Sequence, residues 1–303
     1  MAATRFTPRI VKTLLAAETL LLVGLIILAK SGLFARHARL EELIGLGFGA
    51  VARGIAVTLF LGIADEYRRV RLSRLAWQAL AINAGLLFIK GVVSSSVIDA
   101  FIENYHNTPW RGFLNHALGV PASVFLLLGL IGLLQAYRSA GLGAKLRGSD
   151  YIVLAISLAL FGWVLIVHKN LEEGQSPWLI NRILQPLDLS LIGVASIVSV
   201  LLHRHAAGVS GGKLAEALRW LVIYGLMPGV LVLLVQFAVP AIQRTVSFDA
   251  SPLGTLWRLL PWMMTLAAAV RAEMTSDAVA QVTRLRRFNQ RTKVVGSELS
   301  AEG

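Results

Sequence analysis

The sequence contains no cysteine and unusually few charged residues. Only 15% of its 303 residues are Asp, Glu, Lys or Arg, whereas a soluble domain carries about 25%. The lack of cysteine excludes disulfide bonds, thiolate metal sites and a cysteine nucleophile. Because 56% of the residues are hydrophobic, the scarcity of charge also argues against an ordinary soluble domain. We therefore expect an integral membrane protein.

Sequence signatures of enzymes and cofactor sites are also missing. The glycine-rich stretch 207–213 follows a predicted helix and lacks the P-loop order, and no His-Glu-x-x-His pair occurs, so the usual marks of a nucleotide enzyme and a zinc protease are absent. No two histidines are three or four residues apart, as two ligands on one helix face would be. We predict no metal and no cofactor, and a non-enzymatic role is favoured over an enzymatic one.

The sequence does contain many long apolar runs. A run of about 20 residues is long enough to cross the hydrocarbon layer as a helix. The pattern predicts an all-α, polytopic membrane bundle of about eight transmembrane helices within residues 1–271. The predicted spans are 12–30, 43–64, 75–97, 116–136, 151–168, 187–203, 219–240 and 255–271.

The net charge of +12 is distributed unevenly over the connections. Most Lys and Arg residues lie in alternate connections, namely the N-terminus, 65–74, 137–150, 203–219 and the C-terminal tail. Short loops rich in Lys and Arg remain cytoplasmic, so both termini are predicted inside. Topology accounts for the positive charge, and no nucleic-acid partner is expected. We predict a multi-pass protein of the cell membrane, with the bacterial inner membrane as its expected location.

The C-terminal segment 272–303 is predicted to be a basic amphipathic helix with a short tail. Apolar residues recur in a rough stripe, and the charge is carried by Arg284, Arg286, Arg287 and Arg291. Such a helix binds anionic lipid at the cytoplasmic face. It can equally contact a membrane-protein partner or a second copy of the chain, or serve only to anchor the last span.

Ionisable residues also occur within the predicted spans. Glu18 lies in the first span and Arg53 near the middle of the second. Because a charge inside a membrane is costly and finds a partner, we predict a Glu18–Arg53 pair, acting as a gate or proton relay or only as a structural clamp. Lys90, toward the outer end of the third span, is expected to extend its ammonium to the interface.

Histidines and carboxylates collect on the predicted outer side. His106 and His116 lie in the polar stretch NYHNTPWRGFLNHALGVP at 104–121. With His168 and Asp188 they form a predicted outer-face polar cluster. Imidazole and carboxylate groups together can bind a metal ion or accept a proton. The spacing is not specific for either, so the prediction is a polar cluster without metal.

Three hypotheses for function follow from these patterns. The first is a transporter or flippase for a small apolar or amphiphilic molecule, since the spans contain few strongly polar side chains to line a path for sugars or ions. The alternative is a non-catalytic subunit, scaffold or sensor-like module of a larger membrane assembly. The third is a membrane enzyme that uses the outer histidines and carboxylates.

Overall fold

The described part of the protein is helical. A computed structural model describes residues 38–68, 70–93, 98, 109–139, 147–171, 183–208, 219–230, 232 and 233, with scattered positions between 13 and 27. No β-strand occurs among these residues, which confirms the all-α prediction for them. The helices are α1 (Ala38–Glu66), α2 (Arg71–Val93), α3 (Pro109–Ser139), α4 (Gly148–Leu171) and α5 (Gln185–Gly208). Residues 219–230 are also helical.

Three helical segments are long and apolar enough to cross a membrane: Arg71–Val93, Phe113–Ser139 and Gln185–Arg204. They comprise α2, most of α3 and most of α5, and each reaches the ~30 Å that 20 helical residues cover. The coarse prediction of apolar, membrane-crossing helices therefore agrees with the structure. The number of eight spans, the inside location of both termini and the basic helix at 272–303 involve residues outside the described part, and they stay predictions.

Helix α3 continues through Pro121 from Pro109 to Ser139. Proline at the start of a helix fits its fixed φ and its missing N–H, whereas Pro121 removes one hydrogen bond from the interior. Beyond Pro121, one side of α3 is buried at spacings of three and four residues, through Ser123, Leu126, Leu130 and Leu133. This heptad-like stripe faces the neighbouring helices.

The core lies where α2 packs on α1 and α3, and where α3 packs on α5. Phe60 of α1 stands between two aromatic rings at the centre. Its ring centroid lies 5.8 Å from Trp77 of α2 and 5.3 Å from Tyr224, the latter edge-on at 78°. Edge-to-face and tilted pairs of this kind add to the stabilisation from burial alone.

Close helix contacts occur where glycine faces a small side chain. A Cβ added at Gly225 or Gly229 would overlap the hydroxyl of Ser199 or Ser196 of α5, respectively. The Gly225-x-x-x-Gly229 face therefore lets the 219–230 stretch approach α5 closely, as small-residue faces do in membrane bundles.

Helix α4 lies at the periphery of this bundle and contacts chiefly α5. Large apolar side chains are exposed around much of its circumference: Tyr151, Ile152, Ile156, Leu158, Trp163 and Ile166. In a membrane, these side chains face lipid or another protein.

Candidate functional site

A buried carboxylate joins three helices at one end of the bundle. Asp188 lies in the first turn of α5, and its side chain is only 7% exposed. The Ser123 hydroxyl of α3 donates a hydrogen bond to Oδ1 over 2.6 Å. The other oxygen, Oδ2, lies 3.7 Å from Nζ of Lys90 in α2 and 3.9 Å from Nδ1 of His116 in α3. We call Lys90, His116, Ser123 and Asp188 the outer cluster, after its predicted side of the membrane.

The spacing of residues along α3 creates the pocket for Asp188. His116, Gly119 and Ser123 lie three and four residues apart and therefore share one face of the helix. A Cβ added at Gly119 would lie 2.5 Å from Asp188 Oδ2 and 2.9 Å from Lys90 Nζ. Because glycine has no side chain, the carboxylate and the ammonium both reach the backbone of α3 between the imidazole and the hydroxyl.

The outer cluster is only partly closed by hydrogen bonds. Charge-assisted hydrogen bonds from nitrogen to a carboxylate measure about 2.7–2.9 Å, and the separations to Lys90 and His116 are longer. Nδ1 of His116 is buried and makes no hydrogen bond, which leaves a polar atom short of a partner at a cost of about 1–3 kcal/mol. Lys90 and His116 remain 25% and 19% exposed. They therefore stand between Asp188 and the exterior.

A second polar network lies next to the outer cluster and is fully paired. The Tyr224 hydroxyl donates to Asn83 Oδ1 over 2.6 Å, and Asn83 Nδ2 donates to the carbonyl oxygen of Ala122 over 2.8 Å. Ala122 directly precedes Ser123, so this network ends one residue from the outer cluster. Neither Tyr224 nor Asn83 was predicted from the sequence, although an asparagine within an apolar span is a signal for such a contact.

Arg53 of α1 extends its guanidinium toward α2. Its Nη1 lies against Gly91, where a Cβ would overlap it, and its buried Nε makes no hydrogen bond. The predicted partner, Glu18, lies outside the described residues, so the Glu18–Arg53 pair stays a prediction.

The structure brings together part of the predicted outer-face cluster. His116 and Asp188 face each other. His106 lies outside the described residues. His168 belongs to α4, but its side chain is also outside the described part of the structure. The tail residues Arg284, Arg286, Arg287 and Arg291 are likewise outside it.

The structure adds a contact of Lys90 that the sequence interpretation did not include. The Lys90 ammonium lies 3.7 Å from the Asp188 carboxylate, and its predicted extension toward the membrane interface stays a prediction. Two signals could have indicated this contact. Lys90 and Asp188 lie near the same predicted outer end of their spans, and Ser123 follows His116 by seven residues, which places both on one helix face.

The described residues provide no cluster of three or more His, Cys, Asp or Glu side chains that could hold a metal ion. In the outer cluster an ammonium, rather than a third ligand, approaches the carboxylate. The chemistry that this arrangement offers is the binding of a charged group and the transfer of protons.

A second aspartate cluster lies at the opposite end of α5. The Arg204 guanidinium contacts Asp150 through Nε and hydrogen-bonds the Ser149 hydroxyl over 3.1 Å through an Nη atom. The backbone N–H of Arg147 donates to the Asp150 carboxylate over 2.7 Å. This hydrogen bond, reinforced by Arg204, holds the pKa of the Asp150 carboxyl below its usual value although burial opposes the shift. We call these four residues the inner cluster.

No protein-family model, no curated protein and no solved structure matches this chain. A helical fold alone does not indicate a function, so any functional proposal depends on the chemistry of the outer cluster.

Proposed function

We propose that the protein is a membrane carrier, a transporter or flippase, for a small amphiphilic molecule. One observation carries the proposal: Lys90, His116 and Asp188 meet at the contact of α2, α3 and α5, and each of these helices contains a segment able to cross a membrane.

Ionisable side chains cost about 2.5–3.5 kcal/mol each at the centre of a membrane helix on insertion scales, and less near the helix ends, where Lys90 and Asp188 lie. When such residues are present, they commonly mark a path for a substrate or an ion. A purely structural clamp would close its hydrogen bonds, as the inner cluster does. The outer cluster leaves the His116 Nδ1 unpaired and the Lys90 ammonium beyond hydrogen-bond distance of the carboxylate, which supports a role in binding.

The surrounding spans favour an amphiphile over a strongly polar substrate. Apart from the outer cluster and the Asn83–Tyr224 network, the buried side chains of α2, α3 and α5 are mostly apolar. A sugar or a hydrated ion would need more polar partners along its path, because each unpaired polar group is costly in a dry interior.

Reconstitution tests the proposal. The full chain is incorporated into liposomes that contain fluorescent phosphatidylglycerol, phosphatidylethanolamine or phosphatidylcholine, and transfer between leaflets is followed by dithionite quenching. We expect faster transfer than in protein-free liposomes for at least one lipid. Asp188→Asn should abolish the gain, whereas Asp150→Asn in the inner cluster should retain it. Transfer at the protein-free rate for all three lipids would contradict the proposal.

The alternative, a non-catalytic subunit of a membrane assembly, is favoured by one observation. The broad apolar surface of α4 is exposed and can contact a partner helix. Native mass spectrometry of protein extracted from its own membrane distinguishes the two proposals, because a subunit would appear with a stoichiometric protein partner. The third hypothesis, an enzyme, depends on His106 and His168 and stays a prediction.

A further inference from the structure

We propose that the outward side of the outer cluster binds the phosphate group of an anionic membrane lipid, through the Lys90 ammonium and the His116 imidazole. This inference deepens the proposed function by naming the headgroup that the cluster takes. It rests on that function only for the transfer step that follows binding.

The side chains are arranged so that an incoming group meets the Lys90 ammonium and the His116 imidazole before the carboxylate. Lys90 is 25% exposed and His116 19%, while Asp188 beneath them is 7% exposed. An ammonium has three N–H donors, and Asp188 lies beyond hydrogen-bond distance of them at 3.7 Å. The carboxylate therefore attracts the ammonium without using its donors. A phosphate oxygen can accept them, and an imidazole N–H can donate to the same group.

Apolar surface surrounds the approach to Lys90. Ile82 and Ile89 lie seven residues apart on one exposed face of α2, and Leu187 and Val194 form a similar exposed face on α5. Lys90 follows Ile89, so it lies at the edge between the exposed face and the contact with α3. A molecule that reaches Lys90 from this side contacts hydrocarbon with the rest of its length, as a lipid does.

An aromatic pair marks the depth of the cluster. Trp110, near the start of α3, is 64% exposed and stands edge-on to Phe113 with 5.8 Å between the ring centroids. Exposed tryptophan is typical of the headgroup level of a membrane. His116 lies six residues further along α3, about 9 Å deeper, so the phosphate of a bound lipid would lie below the level of Trp110. Basic pockets between transmembrane helices on the cytoplasmic side of other membrane proteins bind anionic headgroups, and we expect the Lys90 ammonium to do so on the predicted outer side.

Lipid titration tests the inference. The purified full chain in neutral detergent is titrated with phosphatidylglycerol, and separately with phosphatidylcholine of the same acyl chains, and bound lipid is measured by native mass spectrometry. We expect the wild type to prefer phosphatidylglycerol. Lys90→Gln should lower that affinity about fivefold, which corresponds to ~1 kcal/mol for one basic residue, whereas Lys90→Arg should retain it.

Arg138→Gln is the matched control, because Arg138 lies in the last turn of α3, at the opposite end of that helix from His116. It should leave the affinity unchanged. An equal loss in this control, or equal binding of both lipids, would overturn the inference. Displacement of phosphatidylglycerol by inorganic phosphate at equal concentration would also overturn the inference, because the site would then bind free phosphate rather than a lipid. A thermal unfolding curve for each variant establishes that it is folded.

The two proposals can fail separately. Selective phosphatidylglycerol binding without transfer between leaflets supports the inference and contradicts the carrier. Transfer of all three lipids at equal rates, without selective binding, supports the carrier and contradicts the inference.

Discussion

Asp150 and Asp188 occupy equivalent places in two helices, yet their surroundings differ. Each lies in the first turn of its helix, α4 or α5, where the helix dipole stabilises a negative charge. The inner cluster surrounds Asp150 with a backbone N–H and a guanidinium in direct contact. The outer cluster gives Asp188 one hydrogen bond, from Ser123, and two cationic or ionisable partners at a distance.

The comparison separates a structural role from a binding role. The Asp150 carboxylate accepts from the residue at the start of its own helix, as an acid at the third helical position does in a capping box, and this arrangement has no need of a ligand. The Asp188 carboxylate lies beyond hydrogen-bond distance of the Lys90 ammonium, so the N–H donors of that ammonium stay available, whereas Nδ1 of His116 is buried. Helix position alone therefore does not decide what an aspartate does, because its partners from other helices do.

Among the single substitutions, replacement of Asp188 should cause the largest loss of unfolding free energy. Asp188→Asn leaves the Lys90 ammonium without its counterion among the described residues. We expect a loss of about 2–3 kcal/mol in unfolding free energy, below the ~3–5 kcal/mol for a fully buried pair, because Lys90 is 25% exposed. Thermal unfolding in detergent measures it. No measurable loss would contradict the pairing of Lys90 with Asp188.

Gly119 gives the next largest effect. Gly119→Ala places a methyl group 2.5 Å from Asp188 Oδ2, so the carboxylate and Lys90 must move, at a cost of about 1–3 kcal/mol. The control is Gly162→Ala in α4, where no atom lies within 4 Å of the added Cβ. That change should be neutral or stabilise by up to ~1 kcal/mol, since alanine favours a helix over glycine. Similar unfolding temperatures for the two variants would contradict the described geometry.

Tyr224→Phe tests the paired network beside the outer cluster. Loss of the hydroxyl removes the hydrogen bond to Asn83 Oδ1 in a buried region, which should cost about 1–2 kcal/mol of stability. Lipid transfer should be retained, because the network holds helices together and its groups are already paired. Tyr151→Phe, at an exposed tyrosine of α4, is the control and should change neither. Loss of transfer with full stability would place Tyr224 in the binding path.

The inner cluster should show the smallest effect on lipid transfer, and its effect on stability should depend on pH. Because the folded pKa of Asp150 lies below the ordinary 3.8, the carboxylate stabilises the fold fully above the unfolded pKa, and this contribution is lost as pH falls through the folded pKa. The wild type should therefore exceed Asp150→Asn in unfolding temperature near pH 6, and the difference should disappear below the folded pKa. A difference that persists unchanged in acid would exclude the carboxylate charge as its cause.

The helices of the outer cluster could be predicted from the sequence, but most of its contacts could not. Long apolar runs identify α2, α3 and α5 because the length of a run is a local property. His116 and Asp188 were identified as outer-face groups from charge and topology. Their contact with Lys90 depends on α3 packing against α5, which are not consecutive in the chain, and on the missing side chain of Gly119. The spacing of residues within one helix indicates neither the packing of α3 on α5 nor the need for glycine at position 119.

The most direct test combines two changes that remove the charge pair together. Lys90→Met with Asp188→Leu leaves no unpaired charge, and replacing a buried pair by apolar residues is often neutral or stabilising. For a binding site, we expect wild-type unfolding temperature or higher, with lipid transfer reduced to the protein-free rate and the phosphatidylglycerol preference lost. If the double variant is equally stable and still transfers and selects lipid as the wild type does, the outer cluster is only a structural clamp.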